Sequence, residues 1–136
     1  MRDRVTIRMA KSDEGPLVAS IYDRCGGCPA PWIDWSDIFP FWLVGEVDGT
    51  PSGIIMASPG KPFGRVDFLY TLPTLTMRQR AILSRDLGFA GAESCRLLGS
   101  SAVLSTISAQ EQSWKRVAQR RGWQPICDGT FLVKRV

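Results

Sequence analysis

From Val5 to Met9 the chain alternates, with Val5, Ile7 and Met9 on one side, which predicts a half-buried strand. Leu17, Val18, Ile21 and Tyr22 follow at spacings of three and four, predicting an amphipathic helix. Ser12 is its expected N-cap, Asp13 and Glu14 suit its first turn, Pro16 is tolerated there, and Gly26-Gly27 ends it. Apolar runs at 41–44 and 53–57 flank Asp48-Gly49, a hairpin signal because that turn needs positive φ. Pro59, Gly60, Pro62 and Gly64 form the next turn, 65–71 a third strand, and Leu72-Pro73 stops the sheet. A helix is expected over 76–98, with Ala81, Ile82, Leu83, Leu87, Ala90, Cys95, Leu97 and Leu98 inward and Arg78, Arg80, Arg85 and Asp86 wet. Gly88 and Gly91 weaken it and predict a kink or break. A short strand at 102–106, a helix at 109–121 stopped by Gly122, and a closing hairpin about Asp128-Gly129 complete the pattern.

Length changes this picture little: 136 residues make one domain, 1–136, with one sizeable core. No apolar run approaches the roughly 20 residues that span a bilayer, and the N-terminus leads straight into a strand, so a cytoplasmic, unprocessed chain without membrane contact is expected. The net charge of +4 suits a polyanionic ligand and equally suits nucleic acid, so its sign does not choose between them. Histidine is absent, which confines acid and base chemistry to carboxylate, tyrosine, cysteine, lysine, backbone or water. Cys25-Gly26-Gly27-Cys28 is a CxxC pair, but the second pair that a zinc site needs is missing. Cys25, Cys28, Cys95 and Cys127 therefore read as plain thiols, with no metal expected.

Three strands feeding a helix whose first amides face the strand end make an anion site. The stretch 41–87 that carries this arrangement resembles the central part of the GCN5-related N-acetyltransferases, the GNAT superfamily. Thr71-Leu72-Pro73 is similar to that family's V-x-P bend, 5–14 to its first strand and helix start, Cys95-Arg96-Leu97-Leu98-Gly99 to its A-R-x-x-G, and Arg120-Arg121-Gly122-Trp123 to its K-x-G-F. Small members of this degenerate kind look similar to some encoded by tailed bacteriophages. The resemblance implies an α+β fold: a GNAT-like mixed, mostly antiparallel central sheet of six to seven strands flanked by about four helices.

The resemblance also implies acetyl-coenzyme A as co-substrate and a small-molecule or peptide amine as acceptor. The pantetheine would lie along Leu69, Tyr70, Thr71 and Leu72, on a strand splayed from 102–106. The pyrophosphate would meet Met77, Arg78, Gln79, Arg80 and Ala81. That loop departs from the family's Q/R-x-x-G-x-G/A: Gln79 stands where glycine is expected, and Arg78 and Arg80 offer charge instead. Asp67 is the first choice of base and Glu46 the second, although a carboxylate in the place of Asp67 is more often a plain strand-end charge paired with Arg65 or a neighbour. The family's acid, a tyrosine in the last helix, falls on Ala118, leaving Tyr70 as the nearest tyrosine. Trp32 and Trp35 would wall the acceptor pocket, or else roof the core. Two alternatives stand beside an active N-acetyltransferase. One is a catalytically degenerate binding or assembly protein, phage-associated. The weaker one is a nucleic-acid binder using Arg116, Arg120 and Arg121 with Trp114 and Trp123. A homo-oligomer is compatible with any of them.

Overall fold

Asp48 and Gly49 both take positive φ, 51° and 81°, the turn in which an Asp-Gly pair costs least. They join β2 (Trp42–Val47) to β3 (Thr50–Ser58) in a computed structural model that describes residues 3–26, 33–38, 40–105, 116 and 118–124. With β1 (Val5–Met9), β4 (Phe63–Thr71) and β5 (Ala102–Leu104) they form one sheet in the order β1-β2-β3-β4-β5. The first four strands are antiparallel and β5 runs parallel to β4, because α2 (Met77–Leu97) carries the chain back across the sheet.

Alternate residues of the strands face two different helices. On one face Gly45 and Gly53 let α2 sit close: a Cβ at either would come within 2.4 Å and 2.8 Å of the Leu83 methyls. Leu83, Leu87, Gly91 and Cys95 supply the buried stripe of α2. On the other face Val44, Ile54 and Trp42 pack with Val18, Ile21 and Tyr22 of α1 (Gly15–Arg24), with Ile38 and Leu72 closing the cluster.

Several expectations are corrected. The described residues hold five strands, not six to seven, and two continuous helices plus helical residues at 116 and 118–120, not four helices. The closing hairpin of 123–136 lies mostly outside the described residues. Ser12 does not cap α1; the cap position is Glu14, which makes no side-chain capping bond because its carboxylate is held by Arg8. Met9 is exposed, since β1 is the sheet edge. Gly88 and Gly91 do not break α2, and at Gly91 an added Cβ would meet Val66 at 3.0 Å. Leu97 points outward, two residues and so about 200° round the helix from buried Cys95; Leu98 and Ala81 are also exposed.

The chain groups into two compact units, Met1–Leu104 and Ser105–Val136. In the second, a helix ends as expected at Gly122, whose φ is 89°. Trp123 N donates to Ala118 O at 3.1 Å and Gly122 N to Gln119 O at 3.2 Å, the paired bonds of a Schellman end. Among the described residues no helix is long and apolar enough to cross a membrane.

Candidate functional site

The site is built around the second half of β4. Its parallel ladder with β5 runs from Phe63↔Ala102 to Arg65↔Leu104 and stops. That ladder covers only the first three residues of β4, so the β5 register as described ends before the bulged half of the strand. On the other side the register with β3 slips: Ile54 opposes Tyr70 and Met56 opposes Asp67, so Phe68 and Leu69 together face Ile55. This bulge puts Phe68 at φ 57°, an uncommon conformation for a bulky residue and one that tilts local peptide groups out of the ladder. Nothing in the sequence signals it.

Thr71 and Leu72 are buried at the end of β4, where Leu72 N donates to Ser52 O. Cys25, the residue after α1, donates its thiol to Thr71 O at 3.4 Å, and Arg80 Nε donates to Thr71 Oγ1 at 3.3 Å. The end of α1, the end of β4 and the first turn of α2 therefore converge on Thr71. Burial raises the Cys25 thiol pKa, against a smaller lowering by Arg80 and Arg24. Both described cysteines, Cys25 and Cys95, are free; Cys28 and Cys127 lie outside the described residues.

The mouth of α2 is capped from within. Thr76 Oγ1 accepts from Gln79 N at 3.1 Å, and Gln79 Oε1 accepts from Thr76 N at 3.0 Å, a complete capping box. Gln79 thus folds back over the helix start, where the resemblance expects open backbone. Its Nε2 also donates to Asp3 Oδ1 at 3.3 Å, tying the N-terminal segment to α2. The spacing Thr76-x-x-Gln79 carries this box in the sequence; the reach of Asp3 has no sequence signal. Met77 and Arg78 occupy the first helical positions, where an N–H has no acceptor within its own helix. Their side chains, and that of Ala81, are exposed.

The two carboxylates stand apart. Asp67 accepts from Arg65 Nε at 3.0 Å on the same strand face, the ion pair that the i, i+2 spacing allowed. Glu46 accepts from Arg8 Nε at 3.2 Å at the turn end of the β2–β3 ladder, whereas Asp67 adjoins Met56 at the other end. Glu46 therefore belongs to a β1–β2–α1 cross-tie with Arg8 and Glu14, and it lines a depression of about 440 Å³ with Arg4, Thr6, Asp48 and Gly49.

Tyr70 stands edge-on to Tyr22 at 5.2 Å, and Trp35 packs against Tyr22 at 5.4 Å and Trp42 at 5.6 Å. Trp42 in turn stacks on Phe68 at 5.8 Å. Trp35 thus roofs the core and braces the β4 bulge through Trp42. Trp32 lies outside the described residues, as does Trp114. Among the described residues no group of three or more His, Cys, Asp or Glu side chains is placed to hold a metal.

No protein-family model and no curated protein matches this chain. Solved structures do. Aminoglycoside N-acetyltransferase AAC(6')-Iy in complex with coenzyme A is similar at 18% identity and TM-score 0.78, over 100% of this chain and 98% of that one. Diaminobutyrate acetyltransferase from Paenibacillus lautus, in complex with L-2,4-diaminobutyric acid and coenzyme A, is similar at 14% identity and TM-score 0.70, over 88% and 75%. A GNAT family acetyltransferase from Streptococcus pneumoniae is similar at 12% identity and TM-score 0.69, over 99% and 100%. At these identities the likeness establishes the α+β fold, shared with GNAT acetyltransferases.

Proposed function

We propose that this chain is an acyl-coenzyme A-dependent N-acetyltransferase acting on a small amine or a protein amine. The observation that carries the reading is the bulge of β4 at Phe68 and the run of that strand, through buried Thr71 and Leu72, directly into the N-terminus of α2. Pantetheine amides would pair along Leu69, Tyr70, Thr71 and Leu72 as an added strand pairs with a sheet edge. The pyrophosphate would meet the Met77 and Arg78 amides and the Arg78 and Arg80 guanidiniums, a site of fixed positive potential. Solved relatives of the fold that hold coenzyme A support this assignment.

In this reading the acceptor nitrogen attacks the thioester carbonyl, forming C–N as C–S breaks. The displaced sulfur leaves as thiolate, a fair leaving group because an ordinary thiol has a pKa of about 8.5. The proton lost by the amine passes to Asp67, directly or through water, and then to the thiolate. Ala118 stands where the family's acid would be, and Tyr70 is the tyrosine on the same strand as the base. Acetyl-coenzyme A at about 100 times its Kd adds about 2.7 kcal/mol of stability, a clear rise in melting temperature. Asp67→Asn lowers kcat about 100-fold or more in a thiol-release assay over a panel of small amines and peptides, with coenzyme A affinity unchanged. Unchanged turnover removes Asp67 as base, and no thermal shift at millimolar acetyl-coenzyme A in both the wild type and Gln79→Ala overturns the function.

One observation favours the second reading, a catalytically degenerate binding or assembly protein of phage-associated kind. Gln79 fills the helix mouth with its own capping bonds. A protein of that sort gives no thermal shift with the thioester.

A further inference from the structure

Thr76, Gln79 and the sequence-distant Asp3 form one hydrogen-bonded chain across the mouth of α2. Two donors that an anion at this helix start would compete for, the amides of Thr76 and Gln79, already have acceptors. The acceptor at the centre, Gln79 Oε1, presents a carbonyl lone pair where a phosphate oxygen needs a donor. Asp3 places a carboxylate one hydrogen bond further out, opposite in sign to the Arg78 and Arg80 guanidiniums. The helix end is thus stabilised by the same groups that repel a polyphosphate, and one of them, Asp3, comes from the start of the chain.

We propose that Gln79 and Asp3 form a latch that closes the phosphate end of the coenzyme site, so that ligand binds only when the Gln79 side chain leaves the helix mouth. This rests on the acyltransferase reading above. Ligand binding must exchange two side-chain hydrogen bonds of the latch for bonds to phosphate and separate the phosphate from the Asp3 carboxylate. The intrinsic affinity of the open site is therefore reduced by the fraction of molecules that are open. Both residues then set affinity for the coenzyme's phosphates and leave the acceptor half of the cleft untouched.

The test is calorimetric titration of the full chain with coenzyme A, using wild type, Gln79→Ala, Asp3→Ala and Asp3→Asn. Gln79→Ala removes the carbonyl and the tie to Asp3, and we expect about three- to tenfold tighter binding, the equivalent of one capping interaction. Its melting temperature without ligand falls by a few degrees, as loss of half a capping box requires. Asp3→Asn keeps an acceptor for Gln79 Nε2 and removes only charge. It tightens binding about threefold at low salt, and the gain disappears at roughly 0.5 M salt, where charges more than a few ångströms apart are screened. A purely structural cap predicts the reverse, a destabilised helix start with weaker or unchanged affinity. Wild type binding with no variant tighter overturns the latch and leaves the acyltransferase reading intact. Variants that bind where wild type does not support both. Absence of binding by all four proteins overturns both.

Discussion

Arg8 is the point at which β1, β2 and α1 are tied together, and Glu14→Gln tests how strongly. The guanidinium donates to both carboxylate oxygens of Glu14, at 2.6 and 2.8 Å, and to Glu46 at 3.2 Å. Those bonds from Arg8, opposed by partial burial and helped by the Lys11 N–H, hold the Glu14 carboxyl at about 2 against an ordinary 4.5. At 1.36 kcal/mol per factor of ten, that difference bounds the contribution at about 3 kcal/mol. The side chains keep 29% and 16% of their exposure, so water screens the pair, and about 1–2 kcal/mol is expected. The folded value is depressed, so the contribution is complete above pH 4.5 and fades as pH falls towards 2. Urea denaturation of wild type and Glu14→Gln from pH 7 down to pH 2 should therefore give a gap of about 1–2 kcal/mol at neutrality that closes by the acid end. A gap that stays constant across this range, or a neutral substitution at pH 7, refutes the argument.

Two further outcomes follow from packing. Ser84 is buried in α2 with a hydroxyl that has no hydrogen-bond partner among the described residues, so Ser84→Ala should raise stability by about 1 kcal/mol, read as a higher urea midpoint at unchanged slope. Gly53→Ala should lower it by about 1–3 kcal/mol, because the new Cβ would lie 2.8 Å from a Leu83 methyl and 3.0 Å from Tyr70 O; a neutral result means that α2 can lift from the sheet at no cost.

Much of the scaffold could be read from local rules, since the features involved are local. Asp48-Gly49 needs only its own positive φ, Gly122 only the helix it ends, and the α2 stripe only a period of 3.6. Errors arose where a neighbour outside the window decided the outcome. Glu14 has the composition of a first-turn acid, but Arg8, six residues earlier, holds its carboxylate. Gly91 looks like a helix breaker in one dimension and in three is the clearance that α2 needs over Val66 and Ile55. The edge position of β1, which exposes Met9, is a property of the whole sheet and leaves no mark on five residues.

The candidate site was less legible than the scaffold for a different physical reason: much of its geometry lies in backbone. The end of the β4–β5 ladder and the β4 bulge are written in register, and register depends on β3 and β5 as much as on the β4 sequence. Side chains that were legible as types, Asp67 and Glu46, needed their partners before they could be told apart. Both are carboxylates on neighbouring ladders, yet Glu46 is locked into the Arg8 cross-tie at the turn, whereas Asp67 sits on the bulged strand itself. That difference rests on position rather than residue type. The same holds at Gln79, where one glutamine in place of a glycine changes an open cradle into a capped helix start. Gln79 also reaches Asp3, a residue 76 positions away that no window of the sequence would join to it.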